Sequence, residues 1–67
     1  METYIKEFKG LLFTIHIKHL RKSGTTIVYA SHGQTLGVKR VRENYFGSLE
    51  ALEYAVNEAI ENCYKNI

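Results

Sequence analysis

Three histidines (His16, His19, His32), one cysteine (Cys63) and a set of clustered cations are the side chains of this 67-residue chain whose types could do chemistry. Residues three apart on a strand point to opposite faces, so His16 and His19 cannot clamp one metal ion from a regular strand. His16 and His32 could meet across a hairpin, but a zinc site needs further ligands. Cys63 recurs with the apolar residues around it, the usual setting of a buried, inert thiol. The chain has no aspartate, and beyond Gly10 the strand region holds a single acid, Glu43. Two-metal nucleases and phosphoryl-transfer enzymes need converging carboxylates for hard cations, which these strands lack. Phosphate-loop, nucleophile-elbow and zinc-ligand spacings are also missing. The expectation is a protein without catalytic residues, metal or cofactor.

The cations are more informative. From Met1 to Arg42 there are eight basic residues against Glu2 and Glu7; from Glu43 to Ile67 there are five glutamates against Lys65. A net charge of +2 therefore hides a polarised molecule, and such a field decides which partners approach and from which side. Lys18, Arg21 and Lys22 crowd one strand end and its turn. Lys39, Arg40 and Arg42 crowd another strand, with Tyr45 close by. If those strands are near each other, the six cations form one patch suited to phosphate backbones, with Tyr45 as a stacking group and His16, His19 and Tyr29 as flat neighbours. Lys and Arg on wet strands also serve a plainer purpose, keeping sheet edges soluble.

The elements that must position these groups follow from periodicity. Leu11 to Arg21 alternates as a strand, with Leu11, Phe13, Ile15 and Ile17 on one side. A turn at Arg21-Lys22-Ser23-Gly24 leads to a second strand, Thr25 to Ser31, whose inward side is read as Ile27 and Tyr29. After a turn at Ser31-His32-Gly33-Gln34, Leu36 to Phe46 forms a third strand. Its parity breaks near Lys39-Arg40, which signals a β-bulge or a strand with two wet faces. Then the period changes. Gly47-Ser48 offers a helix cap, and Leu49, Leu52, Val56, Ala59, Ile60, Cys63 and Ile67 recur at helical spacing, with Glu50, Glu53, Asn57, Glu58 and Glu61 on the other side. Tyr4, Ile5 and Phe8 fit either a short helix ended by Gly10 or a strand from Thr3 to Phe8 turning at Lys9-Gly10; the strand is the preferred reading. The fold class is α+β, a three- or four-stranded antiparallel meander packed on one C-terminal α-helix.

Residues 1–67 make a single small α+β domain. A chain of this length buries roughly 60% of its unfolded surface, and one cysteine rules out an internal disulfide. Self-association as a homodimer is the expected remedy. The longest apolar stretch, Leu11 to Ile17, is far short of the roughly 20 residues that span a bilayer, and the N-terminus lacks a signal-peptide pattern. With its lone thiol, the protein is expected in the cytoplasm, away from membranes.

Three strands followed by a helix opening at Phe46-Gly47-Ser48-Leu49-Glu50-Ala51 resemble the amino-terminal DNA-binding domain of some tyrosine recombinases. The same order is similar to the latter part of a double-stranded-RNA-binding domain, though Glu50 and Glu53 stand where that family places phosphate-gripping lysines. It also resembles the first strands and helix of ribonuclease H, without the first-strand aspartate that family's catalysis requires. The reading is a non-catalytic binding protein that contacts DNA or RNA through Lys18, Arg21, Lys22, Lys39, Arg40, Arg42 and Tyr45. The alternative is an inhibitor or adaptor that blocks a host protein complex, such as a bacterial defence system. That alternative rests on a composition rich in Lys, Ile, Asn and Glu, which resembles small phage and mobile-element proteins of low-GC bacteria.

Overall fold

Tight turns set the strand order. In the computed structural model, which describes residues 2–42 and 49–67, Lys9 (φ 50°) and Gly10 (φ 80°) both take positive φ. That pair matches the two-residue type I′ turn, whose twist suits a hairpin, and Gly10 adopts it without a Cβ penalty. It folds β1 (Glu2–Phe8) onto β2 (Leu11–Leu20), so the first ten residues form the strand and turn expected in preference to a helix. Residues 21–24 turn the chain into β3 (Thr25–His32), and Gly33-Gln34 turns it into β4 (Thr35–Arg42). The sheet is an antiparallel meander in the order β1-β2-β3-β4, and one helix, α1 (Leu49–Tyr64), packs on it.

Registers decide which residues face that helix. Ile15 lies opposite Ala30 and Ile17 opposite Val28, so the buried parity of β2 carries Thr26, Val28 and Ala30 of β3 with it. The expected inward pair of β3, Ile27 and Tyr29, therefore faces the other way. Both parities of β3 carry apolar side chains, so its own alternation is ambiguous and its neighbour settles the matter. Ile27 is nonetheless only 6% exposed on the open face. Its cross-strand neighbours are Lys18 and Arg40, whose long apolar stems suit covering an aliphatic residue.

The expected bulge in β4 is absent among the described residues. Pairing with β3 runs unbroken from Thr25↔Arg42 to His32↔Thr35. The helix-side parity of β4 is Thr35, Gly37, Lys39 and Val41, so a glycine and a lysine interrupt the apolar pattern and imitate a slip in register. The continuation of this strand to Phe46, the Ser48 cap and the side chain of Leu49 lie outside the described residues.

Gly37 is buried beneath α1. A Cβ built there would collide with the Cys63 nitrogen and the Ala59 carbonyl oxygen. The helix backbone thus rests directly on the β4 backbone, and no larger residue fits without moving the helix. Two further contacts fix its position: Asn62 Nδ2 donates to the Val38 carbonyl at 3.1 Å, and Cys63 Sγ to the Thr35 carbonyl at 3.4 Å. The buried helix face comprises Ala55, Val56, Ala59, Ile60 and Cys63, joined by partly buried Leu52. These pack on Phe13, Ile15, Ile17, Val28 and Ala30. Ile67, expected in this stripe, follows the end of α1 and is exposed. The helix also reaches β1: Phe8 meets the Tyr64 ring edge-on, and Lys6 Nζ donates to Asn57 Oδ1 at 3.3 Å.

Gly37→Ala should cost about 3 kcal/mol through overpacking against an immovable backbone. A domain of this size has roughly 3–10 kcal/mol of total stability, so that loss is a third or more of it. Urea denaturation checks this through a lowered midpoint. Gly10→Ala, where the new methyl meets nothing within 4 Å, should cost about 1–2 kcal/mol through left-handed backbone strain alone, read from the same midpoint.

Candidate nucleic-acid interface

One face of the sheet is covered by α1 and the other is open. Cross-strand partners share a face, so the open side carries Ile5, Thr14, Ser31 and Leu36 in one row and Thr3, His16, Tyr29 and Val38 in the next. Lys18, Ile27 and Arg40 follow, then Leu20, Thr25 and Arg42. The turn holding Arg21 and Lys22 closes the same end, since Leu20 and Thr25 are its last paired residues.

Five of the six expected cations are thereby brought together. Lys18, Arg40 and Arg42 project from the open face and Arg21 and Lys22 from the adjoining turn, all exposed. Lys18 and Arg40 stand two strands apart, about 10 Å between backbones, with Ile27 between them. Lys39 does not join them. It has the opposite parity, and its ammonium lies 5.9 Å from the Tyr54 ring of α1 as a cation–π contact. Tyr54 in turn donates to Glu58 at 2.9 Å, and that hydrogen bond pushes its phenol above the usual range. Tyr45 lies outside the described residues.

The flat neighbours divide in the same way. His16 and Tyr29 are cross-strand partners on the open face, one row from Lys18 and Arg40, and Thr3 Oγ1 sits 3.2 Å from His16 Nε2. His19 lies on the helix side, with Nδ1 2.9 Å from the hydroxyl of fully buried Thr26. His32 also faces the helix side. Its ring stacks at a tilt on Phe13 and its Nδ1 lies 3.1 Å from the Leu12 carbonyl. His16 and His32 are thus on opposite faces, and the hairpin metal pair weighed from the sequence cannot form. Among the described residues no group of three or more His, Cys, Asp or Glu could hold a metal ion.

The helix glutamates occupy the other layer, while Glu7 shares the open face beside Leu12 at the end far from the cations. Glu50, Glu53 and Glu61 lie exposed along α1. Lys18, Arg40 and Arg42 face away from that layer across the thickness of the sheet. The segment-wise charge split is therefore carried over in part: Lys18, Arg40 and Arg42 lie opposite the helix glutamates, while Lys39, Lys6 and Lys9 are placed toward the helix or the far turn.

Exposed apolar side chains toward the other end of the open face, flanking Thr14 and Ser31, are legible only once register is known. Ile5 and Leu36 are 66% and 53% exposed in the row next to His16–Tyr29, and Leu12 beyond them is 62% exposed. No helix among the described residues is long and apolar enough to cross a membrane.

The architecture defines an α+β meander with one buried and one open sheet face, the open face basic at one end and mixed polar and apolar at the other. No family model, curated protein or solved structure matches the chain.

Cys63 belongs to the core. It is fully buried, and burial pushes its thiol above the ordinary range. A thiol-reactive reagent at neutral pH should leave the folded protein unmodified and label one site per chain once urea unfolds it, followed by absorbance of the released chromophore. Because the folded state favours the neutral thiol, stability should fall as pH rises past the range in which an unfolded cysteine ionises.

Proposed function

We propose that this is a non-catalytic nucleic-acid-binding protein that uses the basic end of its open sheet face. The observation carrying the reading is the convergence of Lys18, Arg40 and Arg42 with the Arg21–Lys22 turn, on the side away from the acidic helix. Arginine forks and lysine ammonium groups at this spacing suit successive phosphates, which set affinity without reading sequence. Tyr29 and His16 offer ring faces one row away, where an unpaired base could stack. Lys39 is left out of the interface because its partner is Tyr54.

A second reading has its own observation. Ile5, Leu12 and Leu36 are exposed large apolar side chains at the far end of the same face, which suits a protein partner such as a host complex to be blocked. In that case removing the cations changes little and Leu12→Ser with Leu36→Ser abolishes the activity.

Fluorescence anisotropy with labelled duplex and single-stranded oligonucleotides separates the two. Binding should weaken with salt at a log–log slope of about −4 to −5 for five phosphate contacts on duplex. The double reversal Arg40→Glu with Arg42→Glu should abolish it. Lys39→Ala and neutralisation of Glu53, Glu58 and Glu61 should leave affinity within about twofold, a change too small for a lost phosphate contact. No retention of either oligonucleotide at low salt refutes this function.

A further inference from the structure

The sheet has two edges, and they differ. In a two-residue hairpin the residues flanking the turn are hydrogen-bonded to each other, and alternate residues then point their backbone groups outward. For β4, closed by His32↔Thr35, the outward groups belong to Leu36, Val38, Arg40 and Arg42. Asn62 of α1 takes the Val38 carbonyl, so the helix guards this edge. For β1, closed by Phe8↔Leu11, the outward groups belong to Thr3, Ile5 and Glu7. β1 is guarded only by its charged side chains, Glu2, Lys6 and Glu7. It contains no proline, its pairing with β2 is continuous from Glu2↔Ile17 to Phe8↔Leu11, and residues 2–5 are exposed. α1 lies chiefly over β3 and β4, which leaves the flank of β1 accessible.

We propose that β1 pairs antiparallel with β1 of a second copy about a two-fold axis through Tyr4, giving one continuous eight-stranded sheet. The strand's own charge pattern selects this register. Centred on Tyr4, Glu2 opposes Lys6 of the second copy and Lys6 opposes its Glu2, on the helix side of the sheet, while Thr3 and Ile5 exchange ladder hydrogen bonds. The Glu2–Lys6 pairs fall at non-hydrogen-bonded positions, where Cα atoms approach to about 4.5 Å and side chains interact most closely. Centring on Ile5 instead leaves every charge without an opposite, and centring on Lys6 places two ammonium groups together. The axis keeps both helices on one side and both open faces on the other, with the two basic ends at diagonal corners. The partner is thus a second copy of this chain, an isologous contact of the commonest kind.

Sedimentation equilibrium without nucleic acid tests this independently of the binding reading. The mass should rise from 7.7 kDa towards twice that value between about 1 μM and about 1 mM protein, the range of a single-strand interface. Glu2→Lys or Lys6→Glu alone should leave monomer throughout, and the two together should restore the dimer. Ile5→Pro removes an outward N–H and should give a monomer with an unchanged far-ultraviolet dichroism spectrum. A wild-type protein that stays monomeric overturns the proposal, as does a dimer indifferent to these substitutions or a charge exchange that fails to restore it.

Discussion

Contact between the backbone of α1 and the backbone of β4 at Gly37 governs the rest of the structure. With no side chain between them, the helix sits low enough for Asn62 and Cys63 to reach strand carbonyls. The same depth lets small residues, Ala55 and Ala59, fill the interface while Val56 and Ile60 reach the middle strands. A small chain gains most from such close approach, because each buried atom must serve a core with few layers. One face of the sheet is thereby committed to packing, and everything that could recognise a partner is left to the other face, the turns and the edges.

That commitment turns a linear charge pattern into a spatial one. The cations of β2 and β4 would mean little if they alternated between faces. Lys18, Arg40 and Arg42 share a parity only because the meander register aligns Lys18 with Ile27 and Ile27 with Arg40. Lys39, one residue away, falls to the helix side and is used against Tyr54. Adjacent cations in sequence thus lie on separate faces.

Much of the architecture was legible in advance. The odd parity of β2 and the helical stripe from Leu52 to Cys63 have clean periods, so their buried faces could be read directly. The first ten residues fitted a short helix as well as a strand, because Gly10 can end the one or turn the other. Less was legible where both parities are apolar, as in β3, or where a glycine interrupts the core pattern, as at Gly37. There the burial of a residue depends on its neighbour in space, which periodicity along one strand does not contain. The open-face pairing of His16 with Tyr29 and the row containing Ile5 and Leu36 are properties of register, and no single strand shows them.

The meander has a further consequence for how the chain acquires its shape. Each strand pairs only with the strand before or after it, across connections of two to four residues. Closing such short loops sacrifices little chain entropy, so hairpins can zip without a search for distant segments. The helix then docks chiefly on β4 and β3, the strands nearest to it in the chain. Connectivity of this kind favours rapid pairing of neighbouring strands, onto which the helix is seated over bare backbone at Gly37.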